Sequence, residues 1–183
     1  INQPERRLRQ YPHEFSGGMC QRIMIAIAMA GDPEVLIADE PTTSLDVTIQ
    51  AQVLLLLKEL TSHLGMAMLL VSHDLGVIAQ NCDRVAIMYA GRIIEEGPAE
   101  RIFTSPTHPY TEGLLQSLPS IDGIRRRLPS LPGSVPTVTS MPAGCRYNPR
   151  CPVSIDRCSV DVPVLSEVSG NHSVACWVKG SES

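Results

Sequence analysis

Two acidic residues, Asp39 and Glu40, directly follow the short apolar run Val35–Ala38. A run of this length, bounded by polar residues, predicts a buried β-strand. In open α/β sheets, ligands bind beyond the carboxyl ends of the strands. One carboxylate at that edge could hold Mg²⁺, directly or through water, and a second could orient an attacking water. The same pattern also fits a strand that enters a solvated turn, so the neighbouring segments must decide between the two interpretations.

A histidine follows the next predicted strand along the chain. Met66–Ser72 is apolar and is followed by His73 and Asp74. Because parallel strands end at the same edge of a sheet, we expect His73 to lie near the acid pair, where it could contact a terminal phosphate. A purely structural histidine is the alternative.

A serine and two glycines stand at the start of a predicted helix. Apolar residues recur there at helical spacing, which predicts a helix from Gly17 to Gly31 with Ser16 as its N-cap: Met19, Ile23, Ile27 and Ala30. Gly17 and Gly18 would let the backbone approach a phosphate at the helix N-terminus, where N–H groups favour anions. An ordinary serine cap is the competing interpretation.

The elements that must position these residues alternate between helix and strand. Helices are predicted at Val47–Leu64, ended by Gly65, and at Asp74–Gln80. Two further strands, Arg84–Tyr89 and Arg92–Glu96, flank a tight turn at Ala90-Gly91. The alternation predicts a largely parallel sheet covered by helices, which is an α/β fold.

Length and composition exclude several classes of protein. The chain has 183 residues, 43% hydrophobic and 19% charged, which excludes wholesale disorder. Its longest strongly apolar stretch, Ile23–Ala30, is far shorter than the ~20 residues of a membrane helix. A net charge of −4 without a basic stripe argues against nucleic acid as a direct partner. Because the chain starts at Ile1 rather than Met, we expect its true N-terminus to be missing.

Composition changes after Gly97, which places a domain boundary between residues 1–97 and 98–183. Helical pieces are expected in Pro98–Ser117. Seven prolines between Pro119 and Pro152 then exclude regular helix and predict an extended wrap or linker.

Four of the six cysteines lie close together at the end of the chain, with the spacing C-x5-C-x6-C-x17-C: Cys145, Cys151, Cys158 and Cys176. Four thiolates could hold a tetrahedral Zn²⁺ or an iron–sulfur cluster. Without a C-x-x-C pair the spacing does not match a zinc ribbon, and reduced structural thiols are a third possibility. Cys20 and Cys82 are expected to be buried as small hydrophobic residues.

Taken together, the motifs of residues 1–97 resemble the nucleotide-binding subunit of ABC transporters in order and spacing: Ser16-Gly17-Gly18, Asp39-Glu40-Pro41, Ser44-Leu45-Asp46 and Ser72-His73-Asp74. The resemblance implies part of a P-loop NTPase-like domain, with a parallel sheet and flanking helices, followed by a Pro-rich, Cys-containing extension. No G-x-x-x-x-G-K-[ST] segment occurs in the sequence. We therefore expect the phosphate-cradling loop to lie N-terminal to Ile1, and this chain alone not to hydrolyse ATP.

The resemblance also implies roles for single residues, with ATP and Mg²⁺ as cofactors. Asp39 matches the aspartate that helps to hold Mg²⁺, Glu40 the catalytic glutamate that polarises water, and His73 the histidine that senses the γ-phosphate. Two further matches concern a head-to-tail dimer with a second ATPase subunit. Ser16-Gly17-Gly18 would contact the nucleotide held by the opposite subunit, and Asp46 would lie at the dimer seam.

The extension resembles the tail of ATPase subunits from dipeptide and oligopeptide importers, on the evidence of His108-Pro109-Tyr110-Thr111, Leu114-Leu115, the Pro-rich stretch and the four cysteines. In that family the four cysteines are associated with a [4Fe–4S] cluster, and zinc is the alternative here. The family implies two transmembrane permease subunits, an indirect solute-binding protein outside the cytoplasm, and a peripheral location at the cytoplasmic face of the inner membrane. Nickel or another small solute as cargo, a non-transport ABC ATPase, and an interaction module with a vestigial ATPase are the alternatives.

Overall fold

The structure, a computed structural model, describes residues 1, 3–43, 45–118 and 131–180. The chain divides into two compact units, Ile1–Asn81 and Cys82–Ser183. The domain boundary expected at Gly97 stays a prediction. Ser44 of the Ser-Leu-Asp motif and residues 119–130 of the Pro-rich segment lie outside the described residues.

The first unit combines helices with one pair of parallel strands. Its described elements are α1 (Pro4–Arg7), a 3-10 turn (Pro12–Glu14), α2 (Gly17–Met29), β1 (Val35–Asp39), α3 (Val47–Leu64), β2 (Ala67–Val71) and α4 (Leu75–Asn81). β1 and β2 pair in parallel with Asp39 opposite Val71. This parallel βαβ unit confirms the α/β prediction for this part of the chain.

Helix α3 begins and ends where the sequence predicts, because both ends carry a residue that satisfies the backbone. The Asp46 carboxylate accepts a hydrogen bond from the Ile49 N–H at 3.0 Å. Gly65, with φ +66°, ends the helix in a left-handed conformation that favours glycine. Ser16 occupies the N-cap position of α2, although its hydroxyl makes no capping hydrogen bond, and that helix ends at Met29, before Gly31.

Both apolar runs were expected to form buried strands, and this is wrong for alternate residues of β1 and for all of β2. Along β1, Leu36 and Ala38 are buried, whereas Val35 and Ile37 are 56% and 66% exposed. No residue of β2 is buried, and Leu69 and Val71 are exposed. The reason is that, among the described residues, the helices cover one face of this two-stranded sheet. The core on that face contains Ile25, Leu36, Ala38, Val53 and Leu57.

The second unit is built on an antiparallel sheet. Its described elements are β3 (Arg84–Tyr89), β4 (Arg92–Pro98), α5 (Ala99–Thr104), α6 (Pro109–Gln116), 3-10 turns at Val138–Ser140 and Asn148–Arg150, α7 (Asp156–Val160), β5 (Ser166–Ser169) and β6 (His172–Val174). The strand order is β3-β4-β6-β5. The predicted hairpin is confirmed, with Ala90 and Gly91 both at positive φ.

The prediction of a largely parallel sheet therefore needs correction for the second unit. β6 lies antiparallel to β4, with Val174 opposite Glu95, so strands from the end of the chain complete the sheet. These strands are short, at four and three residues, and the sequence pattern did not predict them. The helices expected between Pro98 and Ser117 are present as α5 and α6.

A buried polar group, which we call the Glu95 junction, joins β4, β6 and the start of α6. The side chain of Glu95 is 0% exposed. Its carboxylate accepts hydrogen bonds from the Thr107 N–H at 2.6 Å and the His108 N–H at 3.1 Å, and lies 2.8 Å from His172 Nε2. His108 caps α6 by accepting a hydrogen bond from the Tyr110 N–H at 3.0 Å. Burial lowers the pKa of His108 to about 4.

The described end of the Pro-rich segment is held by one arginine. Arg150 donates to the Pro132 carbonyl at 2.6 Å and to the Tyr89 hydroxyl at 3.1 Å. Between residues 131 and 152 the regular structure consists of the two 3-10 turns, which agrees with the extended wrap predicted from the prolines. Within the described ranges, none of the helices is both long enough and apolar enough to cross a lipid bilayer.

Candidate functional site

Glu40 lies where β1 ends, at the carboxyl edge of the parallel strands. Its backbone N–H donates to the Val71 carbonyl at 2.9 Å, which continues the pairing with β2 by one residue. Its φ is +47°, a conformation that L-residues seldom adopt and that often marks functional sites. This turn moves the Glu40 side chain out of the strand's regular alternation.

The structure places Glu40 and His73 together. Glu40 Oε1 lies 2.7 Å from His73 Nδ1 and also accepts a hydrogen bond from the His73 backbone N–H at 3.1 Å. The His73 side chain is 81% exposed and that of Glu40 36% exposed. The expectation that His73 ends the neighbouring strand at the same edge is confirmed by this geometry. The catalytic roles of the two residues remain predictions.

Each side chain of the pair stabilises the charged form of the other. The hydrogen bond from His73, followed by that from Thr43, lowers the pKa of Glu40. The hydrogen bond to Glu40 and its negative charge raise the pKa of His73. A carboxylate and an imidazole ring therefore face solvent side by side at the strand ends.

Two residues support this pair, Thr43 and Asp74, and only Asp74 was named from the sequence, as part of the Ser-His-Asp motif and as the start of a helix. The Thr43 hydroxyl donates to Glu40 Oε2 at 2.8 Å, so both carboxylate oxygens are engaged. Asp74 begins α4 by accepting from the Gly76 and Val77 N–H groups at 2.9 and 3.2 Å. A hydroxyl three residues after an acid and an aspartate before a helix are common turn signals, so neither points to a site by itself.

Asp39 lies on the other side of the strand from the core. The alternation along β1 puts it on the exposed face with Val35 and Ile37. It is next to Glu40 in sequence and accessible at the carboxyl edge of the sheet. Carboxylate oxygen is a ligand that Mg²⁺ prefers, so the position suits a metal-bound phosphate.

The remaining predicted residues lie at two helix starts. Ser16, Gly17 and Gly18 open α2, and Asp46 opens α3. Within the described part of the chain, neither a hydrogen bond nor an ion pair joins Ser16 or Asp46 to the Glu40–His73 pair. The structure therefore assembles the strand-end residues and leaves the Ser-Gly-Gly turn as a separate, solvent-facing feature.

The four late cysteines are all free and belong to the second unit. The Cys145 N–H donates to the Cys158 carbonyl at 2.8 Å, which brings two of these segments together. Burial raises the pKa of Cys145, and the nearby Cys158 and Cys176 thiols raise it further. Burial likewise raises the pKa of Cys151, with smaller contributions from Cys176, Cys145 and Cys158.

The second unit therefore contains several cysteine thiols, which are soft metal ligands, but these thiols do not form a metal site. Among the described residues, no group of three or more His, Cys, Asp or Glu side chains is placed to hold a metal ion. The expected [4Fe–4S] or zinc site thus has no support from the geometry. Close thiols oppose one another's ionisation, and a bound cation would favour their thiolate forms. Cys20 and Cys82, expected to be buried, are half-buried.

Known proteins match the chain along nearly its whole length. Residues 94–158 match the family described as "Oligopeptide/dipeptide transporter, C-terminal region" and residues 1–43 the family "ABC transporter". A probable peptide ABC transporter ATP-binding protein of Sinorhizobium fredii is 53% identical over 97% of this chain and 53% of its own length. The oligopeptide transport ATP-binding protein AppD of Bacillus subtilis is 48% identical over 100% of this chain and 56% of its own.

A third relative, the dipeptide transport ATP-binding protein DppD of Bacillus subtilis, is 49% identical over 98% of this chain and 53% of its own length. The chain thus spans about half the length of the curated relatives that it matches. The matches cover both the strand-end residues and the extension with the cysteines.

Proposed function

We propose that the chain is one of the ATP-binding proteins of the oligopeptide/dipeptide ABC transporter family, and that the protein energises the import of di- or oligopeptides by binding and hydrolysing ATP. Support comes from the relatives, whose names include peptide, oligopeptide and dipeptide transport. The match to the transporter C-terminal region adds support for the peptide branch rather than for another ABC class.

The observation that carries the proposal is the contact between Glu40 and His73. A carboxylate with a lowered pKa stays ionised at neutral pH and can accept a hydrogen bond from an attacking water. Glu40 would orient that water through its carboxylate. The Thr43 hydroxyl would hold the carboxylate in place through its hydrogen bond to Glu40 Oε2. His73, as an exposed donor beside it, would contact the terminal phosphate and report its presence.

Mg²⁺, when bound, would neutralise charge on the phosphate groups, and Asp39 would be its ligand on this chain. Asp39 suits this role because it is an exposed carboxylate beside Glu40 at the strand ends.

We propose further that the protein acts as a head-to-tail dimer with a second ATPase subunit. Ser16, Gly17 and Gly18 would face the nucleotide of the other subunit, and Asp46 would lie near the seam. The exposure of Ser16 and Gly17 is compatible with this. The dimer would dock on two permease subunits as a peripheral protein at the cytoplasmic face of the membrane, and a solute-binding protein would deliver the peptide.

Uptake of labelled di- and tripeptides by a deletion strain tests this function. The wild-type gene should restore uptake, and Glu40→Gln should not, although the variant still binds ATP. Glu59→Gln, an exposed change on α3, is the matched control and should restore uptake fully. If the wild-type gene restores nickel uptake but not peptide uptake, the peptide assignment is wrong while the ATPase assignment stands.

A finer proposal concerns Cys145, Cys151, Cys158 and Cys176, which would hold a [4Fe–4S] cluster. It is supported by the donor chemistry of four free thiols in the second unit, whereas the described side chains do not form the site. Anaerobically purified protein should then contain iron and sulfide and absorb near 400 nm, an absorption that Cys158→Ser should abolish. Stoichiometric zinc without iron, or no metal at all, would reject the cluster.

A further inference from the structure

The first turn of α2 lies unusually close to the first turn of α3. A Cβ placed on Gly18 would lie 2.7 Å from Ile49 Cγ2, a distance that requires one of the two groups to shift. A Cβ on Gly17 would lie 3.3 Å from Leu45 Cδ2, which is tight but leaves room for a small adjustment. The Ile49 methyl group thus fills the space that any side chain at position 18 would need.

Ile49 is held on its backbone side as well. Its N–H donates to the Asp46 carboxylate at 3.0 Å, so the cap of α3 fixes the residue whose side chain contacts Gly18. Farther along the two helices, Arg22 donates to the Gln52 side chain at 3.2 Å. Ile49 also packs, half-buried, against the core of the first unit. These contacts tie the start of α2 to the start of α3 at successive points.

We infer that Ile49 is a positioning residue that sets the Ser16-Gly17-Gly18 turn relative to Asp46. The inference rests on the proposed function, since that function gives both features a role at a nucleotide. Through Ile49, a displacement of the Asp46 cap is transmitted to the backbone at Gly18. Gly18 is then required for the close approach of two helices within one chain, in addition to any contact with a phosphate.

The two explanations for Gly18 differ in one consequence. Both predict that Gly18→Ala is harmful. Only the packing explanation predicts that Ile49→Ala rescues it, because the shortened side chain removes Cγ2 and Cδ1. The nearest remaining atom, Cβ, would lie 3.9 Å from the new methyl group, which is ordinary van der Waals contact.

The experiment compares Gly18→Ala, Ile49→Ala, Ile49→Val and the double variant Gly18→Ala/Ile49→Ala in the full-length gene product. Gly18→Ala should lower kcat by about 100-fold, since a misplacement of about 1 Å has effects of that order, and the double variant should regain at least about tenfold. Ile49→Ala alone should lower kcat with ATP affinity unchanged. Ile49→Val retains Cγ2 and should behave as wild type.

Gly31→Ala is the matched control, because its added methyl group meets no atom within 4 Å. A Gly18→Ala protein whose kcat and melting temperature are both unchanged by adding Ile49→Ala would overturn the inference. Melting temperatures of the same variants keep the test independent of catalysis. If wild-type protein hydrolyses no ATP, the proposed function fails, yet the packing contact still predicts that the double variant melts above Gly18→Ala.

Discussion

Glu40 and His73 are 33 residues apart in the chain, yet Oε1 of the first lies 2.7 Å from Nδ1 of the second. The contact exists because α3 carries the chain back to the edge where β1 begins, so that β2 runs parallel to β1 and ends at the same edge. The left-handed turn at Glu40 and the cap at Asp74 complete the geometry. The proposed chemistry therefore depends on a local βαβ unit within the first 81 residues.

The first prediction concerns the titration of His73. Its pKa is raised by Glu40, so Glu40→Gln, which removes the negative charge, should move the His73 pKa down towards the ordinary value. Histidine ring resonances followed by NMR against pH give the measurement. Glu59→Gln serves as the control and should leave the His73 titration where it is. An unchanged His73 pKa in Glu40→Gln would show that the pair does not form in solution.

A second prediction concerns the Glu95 junction. Glu95→Ala removes the acceptor for two backbone N–H groups and for His172, all in buried surroundings. Loss of one member of such a buried group should lower the free energy of unfolding by about 3 to 5 kcal/mol. Trp177, the single tryptophan of the chain, lies in the second unit and reports its unfolding in denaturant by fluorescence.

Glu96→Ala is the control for that change, since Glu96 is adjacent on β4 and only half-buried. It should change the free energy of unfolding by less than about 0.5 kcal/mol. If the two substitutions lowered the free energy of unfolding equally, the buried hydrogen bonds of Glu95 would not be important for stability.

The third prediction is the pH dependence that His108 gives to stability. Burial lowers its folded-state pKa to about 4 from 6.5, so between these values the unfolded chain binds the proton and the folded chain does not. The contribution of a neutral His108 to the free energy of unfolding is fully present above pH 6.5 and is lost as the pH falls towards 4. The loss between pH 7 and pH 5 should be about 2 kcal/mol.

His108→Asn tests this prediction, because asparagine can still cap α6 but does not titrate. The measured quantity is the difference in pH dependence between wild type and variant, followed by Trp177 fluorescence in denaturant, so that the other histidines cancel. The same loss of stability between pH 7 and pH 5 in both proteins would argue against a buried, neutral His108.

The sequence was most informative where a local signal fixes the backbone. Asp46 and Gly65 define both ends of α3, and Ala90-Gly91 defines the hairpin, because each satisfies the backbone without distant partners. The meeting of Glu40 and His73 was also predictable, since it follows from the common edge of parallel strands.

Distant pairing and one-sided burial were not predictable in the same way. The apolar runs of β1 and β2 do not reveal that Val35 and Ile37 lie on an exposed face. The contact of Glu95 with His172 joins residues 77 apart through the register of β4 and β6, which no local pattern encodes. The geometry of the four cysteines was not predictable either. Their spacing identified four possible metal donors but did not determine where the sulfur atoms lie.

The most direct test of the account is the rate of phosphate release from Mg-ATP by the full-length gene product carrying Glu40→Gln. If Glu40 orients the attacking water, this variant should lose at least about 100-fold in rate relative to wild type while binding ATP equally well. Thr43→Ala, which frees one oxygen of Glu40, should lose less. A Glu40→Gln protein that releases phosphate at the wild-type rate would contradict the central claim.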